Sequence, residues 1–111
     1  MNTAKIRELN DKLRHNLFSP NGHGKVILTA SVSAMPHQDL FALLCLVGCF
    51  EDFNESNDPY QEHEFGALDF KKTRYFFKID YYAPDLLSGS IDPSDPKQTC
   101  RVLTIMRAEE Y

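Results

Sequence analysis

The sequence predicts an α+β domain, two helices packed on one face of a mostly antiparallel four-stranded sheet, in the order helix, strand, helix, strand, strand, strand. Three observations predict it. Two segments carry apolar residues at helical spacing, four carry apolar residues in alternation, and helices gathered on one face of a sheet bury both amphipathic stripes at once. The 111 residues, 42% of them apolar, suit one core and are too few for two, so residues 1–111 read as a single domain.

The first helix spans Thr3 to about Leu17, with Ile6, Leu9, Leu13 and Leu17 on one stripe and Lys5, Arg7, Glu8, Asp11 and Lys12 elsewhere. Ser19-Pro20-Asn21-Gly22-His23-Gly24 ends it. Lys25 to Ser33 alternates Val26, Leu28, Ala30 and Val32 with Ile27, Thr29, Ser31 and Ser33, which predicts a strand. Met35 to about Phe50 predicts a second helix, with Pro36 in its first turn and Leu40, Leu43, Leu44 and Val47 on one side. Phe41, Cys45, Leu46 and Phe50 widen that side until little polar surface remains, so this helix is expected to be the most buried.

Phe65 to Phe70 and Thr73 to Tyr82 predict a hairpin around Lys71-Lys72, a connection without the usual Asn-Gly signal. Tyr75, Phe77, Ile79 and Tyr81 alternate there against Arg74, Phe76, Lys78, Asp80 and Tyr82. Ala83 to Gln98, with three Pro and Ser88-Gly89-Ser90, predicts a long exposed loop. Thr99 to Ala108 predicts the last strand.

Composition excludes several classes. The longest apolar run, Leu40 to Phe50, falls short of the roughly 20 residues a membrane helix needs. The first residues, of mixed charge, do not form a secretory signal, and a cytoplasmic chain without membrane contact is expected. Three cysteines cannot all pair, and Cys45 and Cys49 lie four apart on a predicted helix, so all three read as buried thiols of a reducing compartment. A net charge of −4 and no basic stripe argue against direct nucleic-acid binding, although Arg101 and Arg107 share a strand parity.

Glu51 to Glu64 departs most from this bland composition. It holds six carboxylates, Glu51, Asp52, Glu55, Asp58, Glu62 and Glu64, and neither Lys nor Arg. Asp52, Glu55, Asp58, Glu62 and Glu64 are therefore the candidate contacts for a basic partner. Asp52-x-Asn54-x-Ser56-x-Asp58 opens like a calcium loop, but Asn57 replaces the turn glycine and His63 the bidentate carboxylate, so no metal is assigned. No cofactor is called for either. Glu62-His63-Glu64 is the most suggestive short stretch, because a His between carboxylates can act as a general base. Facing Lys78, Asp80 and Tyr82 across the hairpin, it would complete a polar cluster.

Asn57 to Gly66, Phe77-Lys78-Ile79-Asp80-Tyr81-Tyr82 and Arg101 to Met106, with Ile6-Arg7-Glu8-Leu9-Asn10, together resemble a small bacterial family of unknown function. That family is common on plasmids and other mobile elements of alphaproteobacteria. This chain has Glu64 where the family places Asp, and Phe77 where Trp is common. The resemblance implies an accessory role on a mobile element, of the kind that inhibits or modulates host defence.

Three readings follow. The favoured one is a non-enzymatic protein that binds a basic protein partner through the acidic loop and hairpin. The second is a small hydrolase-like acid-base enzyme using His63, Lys78, Asp80 and Tyr82. The third is a homo-oligomer joined through the last strand or the hairpin edge.

Overall fold

Asn2 starts the first helix by accepting the Lys5 amide on its side chain, and α1 then runs Thr3–Arg14. The computed structural model describes residues 2–111. The buried stripe of α1 holds Ile6 and Leu13, as its spacing predicts, and also Asn10 and Arg14, which are polar. β1 covers Lys25–Leu28, α2 Ala30–Ser33, α3 His37–Gly48, β2 Phe65–Phe70, β3 Thr73–Tyr82 and β4 Cys100–Arg107, followed by a 3-10 turn, Ala108–Glu110.

The strand order is β1-β4-β3-β2. β2 with β3 and β3 with β4 are antiparallel, whereas β1 runs parallel to β4, with Lys25 opposite Val102 and Leu28 opposite Ile105. The sheet is therefore mixed. The last strand lies in its interior, paired on both sides, and has no free edge to offer a second copy.

The predicted strand Lys25 to Ser33 ends early. The Thr29 amide makes a last bond to Ile105 O, after which Ala30–Ser33 coils into one helical turn. Glu110 holds that turn, accepting from the Thr29 and Ser31 hydroxyls and the Arg107 amide. Val32 is fully buried, but on a helix.

Val26, Leu28, Tyr75, Phe77, Ile79, Leu103 and Ile105 form one sheet face, against which Leu13, Val32, Leu43 and Val47 pack. Gly66 permits the closest approach: any Cβ there would overlap the Phe77 and Phe50 rings. α3 is not the most buried helix. Only Leu43 and Val47 are buried, while Phe41 and Leu46 are exposed, and Phe18 stacks on Phe41 at 5.1 Å. Pro36 caps α3 instead of joining its first turn. The cysteines also depart from expectation, since Cys49 is exposed and Cys45 and Cys100 are half-buried.

The hairpin falls on the expected residues. Lys71 and Lys72 both adopt positive φ, 49° and 67°, which a two-residue turn matching the twist of the strands demands. No helix among the described residues is long and apolar enough to cross a membrane.

Candidate functional site

Arg14 is 2% exposed and reaches out from the last turn of α1 to the end of α3, where it donates to Val47 O, Gly48 O and Phe50 O. A guanidinium there satisfies carbonyls left without helical partners and meets the negative end of the helix dipole. Its other arm pairs with Asp11 at 3.0 Å. The same Asp11 oxygen lies 2.9 Å from His63 Nδ1.

His63 is clamped from three sides. Its ring lies flat on Phe53, at 3.9 Å between centroids, and the Arg14 guanidinium also packs on Phe53, at 5.2 Å. Nε2 faces Asp58 at 3.6 Å, and the His63 amide donates to the other Asp58 oxygen at 3.0 Å. Gln61 and His63 both have φ near 58°, so the chain turns sharply there and sends His63 back toward α1. A cleft of about 700 Å³ opens beside the stack, lined by Arg7, Phe53, Glu55, Asp58 and His63 among others.

A second network runs alongside. Asn10, fully buried, donates to Glu62 O and to the Tyr81 hydroxyl and accepts from Arg101 Nε at 2.8 Å. Tyr81 donates onward to Glu62 Oε1 at 2.7 Å. Burial, then the hydrogen bond to Glu62, holds the Tyr81 hydroxyl far above its usual range, so it remains a donor. Glu64 is pushed up to about 7, first by burial and then by a hydrogen bond to Glu62 and the charges of Glu62 and Asp58. A proton held by this carboxyl pair relieves its repulsion. Burial lowers Arg101, which also donates to Pro93 O and lies over the Tyr81 ring.

The predicted polar cluster is divided. Glu62, His63 and Glu64 associate with α1 and Tyr81 on the helix-covered side. Lys78 and Asp80 pair with each other at 2.8 Å and, with Tyr82, line a separate groove on the open sheet face with Val102 and Thr104. Strand alternation is the cause: Tyr81 points to the helices, and its neighbours Asp80 and Tyr82 point away.

The acidic segment is divided too. Asp58 is 5% exposed, Glu62 bonds inward to Tyr81 and Glu64 is half-buried, so these three do not form the outer surface expected of them. Asp52 and Glu55 are exposed, as is Glu51. The calcium-like stretch uses its oxygens internally: Asn54 Oδ1 accepts the Ser56 and Asn57 amides, and Asn57 Oδ1 accepts the Asn54 amide. Among the described residues no group of three or more His, Cys, Asp or Glu is arranged to hold a metal. Arg101 is 3% exposed, which removes it as a phosphate contact.

Residues 28–110 match a family described as a protein of unknown function, DUF3768. The chain belongs to that family. No curated protein matches it, and no solved structure does. The DUF3768 match includes Phe53, Asp58, His63 and Tyr81, but α1 precedes it, so Asn10, Asp11 and Arg14 come from outside the matched range. Ile6 to Asn10, which contributed to the resemblance, also lies outside.

Sequence reasoning passed over Asn10, Asp11, Arg14 and Tyr81. One signal was available for two of them. Asn10 and Arg14 stand four and eight residues after Ile6, on the stripe facing the core, where a polar side chain needs an interior partner.

Proposed function

We propose that this DUF3768 chain is a non-enzymatic binding protein that docks a basic protein partner through the exposed part of its acidic loop. Such a role agrees with the accessory function, inhibition or modulation of host defence, that resemblance to mobile-element proteins implies. One observation carries the reading. Glu51, Asp52 and Glu55 are each exposed, and among the described residues none of them forms a salt bridge with a Lys or Arg, while the remainder of the same loop is fixed to α1 and β3.

A loop held in this way loses little entropy on binding, so the attraction between its carboxylates and a basic surface is retained in the affinity. Tyr60, 73% exposed and next to Pro59, adds the kind of aromatic anchor that dominates many interfaces.

The test is capture of partners from a host lysate, followed by titration with the purified partner at two salt concentrations. Changing Glu51, Asp52 and Glu55 together to Lys abolishes binding without changing the thermal midpoint, and Tyr60→Ala weakens binding at least tenfold. Unchanged binding by the folded triple variant refutes the reading.

A further inference from the structure

Because β1 and β4 run parallel, their first residues lie side by side, and so do the loops that feed them, residues 19–24 and 83–99. Between these loops opens a cleft of about 330 Å³. Its lining includes His23, Gly24, Lys25, Thr99, Cys100 and Arg101, and no Asp or Glu. The walls are preformed. Gly24, at φ 150°, lies directly on β4, where a Cβ would come 2.6 Å from Arg101 O, and the Thr99 hydroxyl donates to Asp92 O.

A buried charge normally has an opposite charge beside it. The described residues include two buried arginines, Arg14 and Arg101. Arg14 pairs with Asp11. Arg101 forms no salt bridge among the described residues, and its acceptors, Asn10 Oδ1 and Pro93 O, are neutral. Glu62 acts on it only from beyond Tyr81, over whose ring Arg101 lies and whose hydroxyl Glu62 accepts. Lys25, exposed at the mouth of the cleft, is also without a salt bridge among the described residues. The loop entering β4 does not make up the difference. Asp92 accepts the Ser94 amide and hydroxyl, and Asp95 the Lys97 amide and the Gln98 side chain.

We infer that this cleft binds a small phosphoryl dianion, inorganic phosphate or a short phosphate monoester, which supplies the counter-charge that Arg101 and Lys25 lack. Lys25 Nζ and a ring N–H of the exposed His23 make the contacts from the rim. Arg101 does not touch the ion; it adds the field of a buried charge, which salt screens less than that of a surface lysine. The volume, at the low end for ligand pockets, suits an ion or short ester and not a nucleic-acid strand. The inference does not depend on the acidic-loop reading, because it uses a different cleft and a ligand of opposite charge.

The test is titration of the nitrogen-labelled full chain at pH 8.0 with sodium phosphate and, separately, with methyl phosphate, each to about 50 mM against sodium chloride of equal ionic strength. Amide NMR signals are read throughout. Saturable shifts confined to residues 21–25 and 99–101 are expected, with a dissociation constant in the low-millimolar range; tighter binding of methyl phosphate marks an ester as the ligand, and equal or weaker binding the free ion. Lys25→Glu puts a carboxylate at the mouth and weakens binding at least tenfold while the circular dichroism spectrum is kept. Lys72→Glu makes the same change in net charge at the far end of β3 and weakens it less than twofold. The inference is overturned if neither phosphate shifts these signals, if chloride reproduces the shifts, or if a folded Lys25→Glu binds as the wild type does.

Discussion

Replacing Glu64 with Gln tests whether the loop anchor holds a proton. In the folded chain this carboxyl is pushed up to about 7 by burial and by Glu62, against the 4.5 of an unperturbed glutamate. A folded value above the unfolded one means that the stabilising contribution is complete below about pH 4.5. It is lost as pH rises through 7, because the folded state then surrenders a proton it bound better than the unfolded chain. At full strength the shift corresponds to about 3 kcal/mol. Glu64 is only half-buried, so solvent screening reduces the figure to about 1–2 kcal/mol. Gln keeps a donor toward Glu62 and cannot ionise. Urea denaturation at pH 5.0 and pH 8.5 should show the variant close to wild type at the lower pH and more stable by about 1–2 kcal/mol at the higher one. A difference between the two proteins that stays constant across this range refutes a shared proton at Glu62 and Glu64.

Arg14→Met should cost about 3 kcal/mol or more by urea denaturation, since it leaves Asp11 and the carbonyls at the end of α3 without their buried partner. Arg14→Lys should recover only part of that, because an ammonium cannot fork between α3 and Asp11. Tyr81→Phe removes one hydroxyl from between Asn10 and Glu62 and should lower stability by about 1–3 kcal/mol, read as a fall in urea midpoint at constant slope. Lys72→Gly relieves a positive φ that costs a side chain about 1–2 kcal/mol and adds backbone entropy to the unfolded state, leaving a net gain of about 0.5–1 kcal/mol in the same assay.

The hairpin was legible because Tyr75, Phe77 and Ile79 alternate cleanly and both strands are neighbours in sequence. β1 was legible only to Leu28, because Val32 fits a two-residue period and a helical turn equally well. Nothing local distinguishes the two; the bond from Thr29 to Ile105, and Glu110 beyond it, decide the matter. The parallel partner of β1 was invisible for the same reason, since Lys25 and Val102 are far apart in sequence. For the candidate site, the local pattern correctly drew attention to His63 but supplied the wrong companions. Lys78 and Asp80 are near it in sequence and on the other face of the sheet, whereas Asp11 lies 52 residues away and Asn10 is joined to Arg101 across 91. The richness of the acidic segment in carboxylates was plain; which of them turn inward depended on Tyr81, Asn10 and the bend at His63.

Placing residues 100–107 between β1 and β3 has a consequence for biosynthesis. The ribosome delivers β1, β2 and β3 first, and these can form a hairpin and an orphan strand but no continuous sheet. Closure must wait for the central strand to clear the exit tunnel, and shortening the chain before Arg107 deletes the middle of the sheet instead of trimming its border. Fragments that stop after β3 should therefore remain open to proteases, and resistance should appear abruptly once residues 100–107 are included.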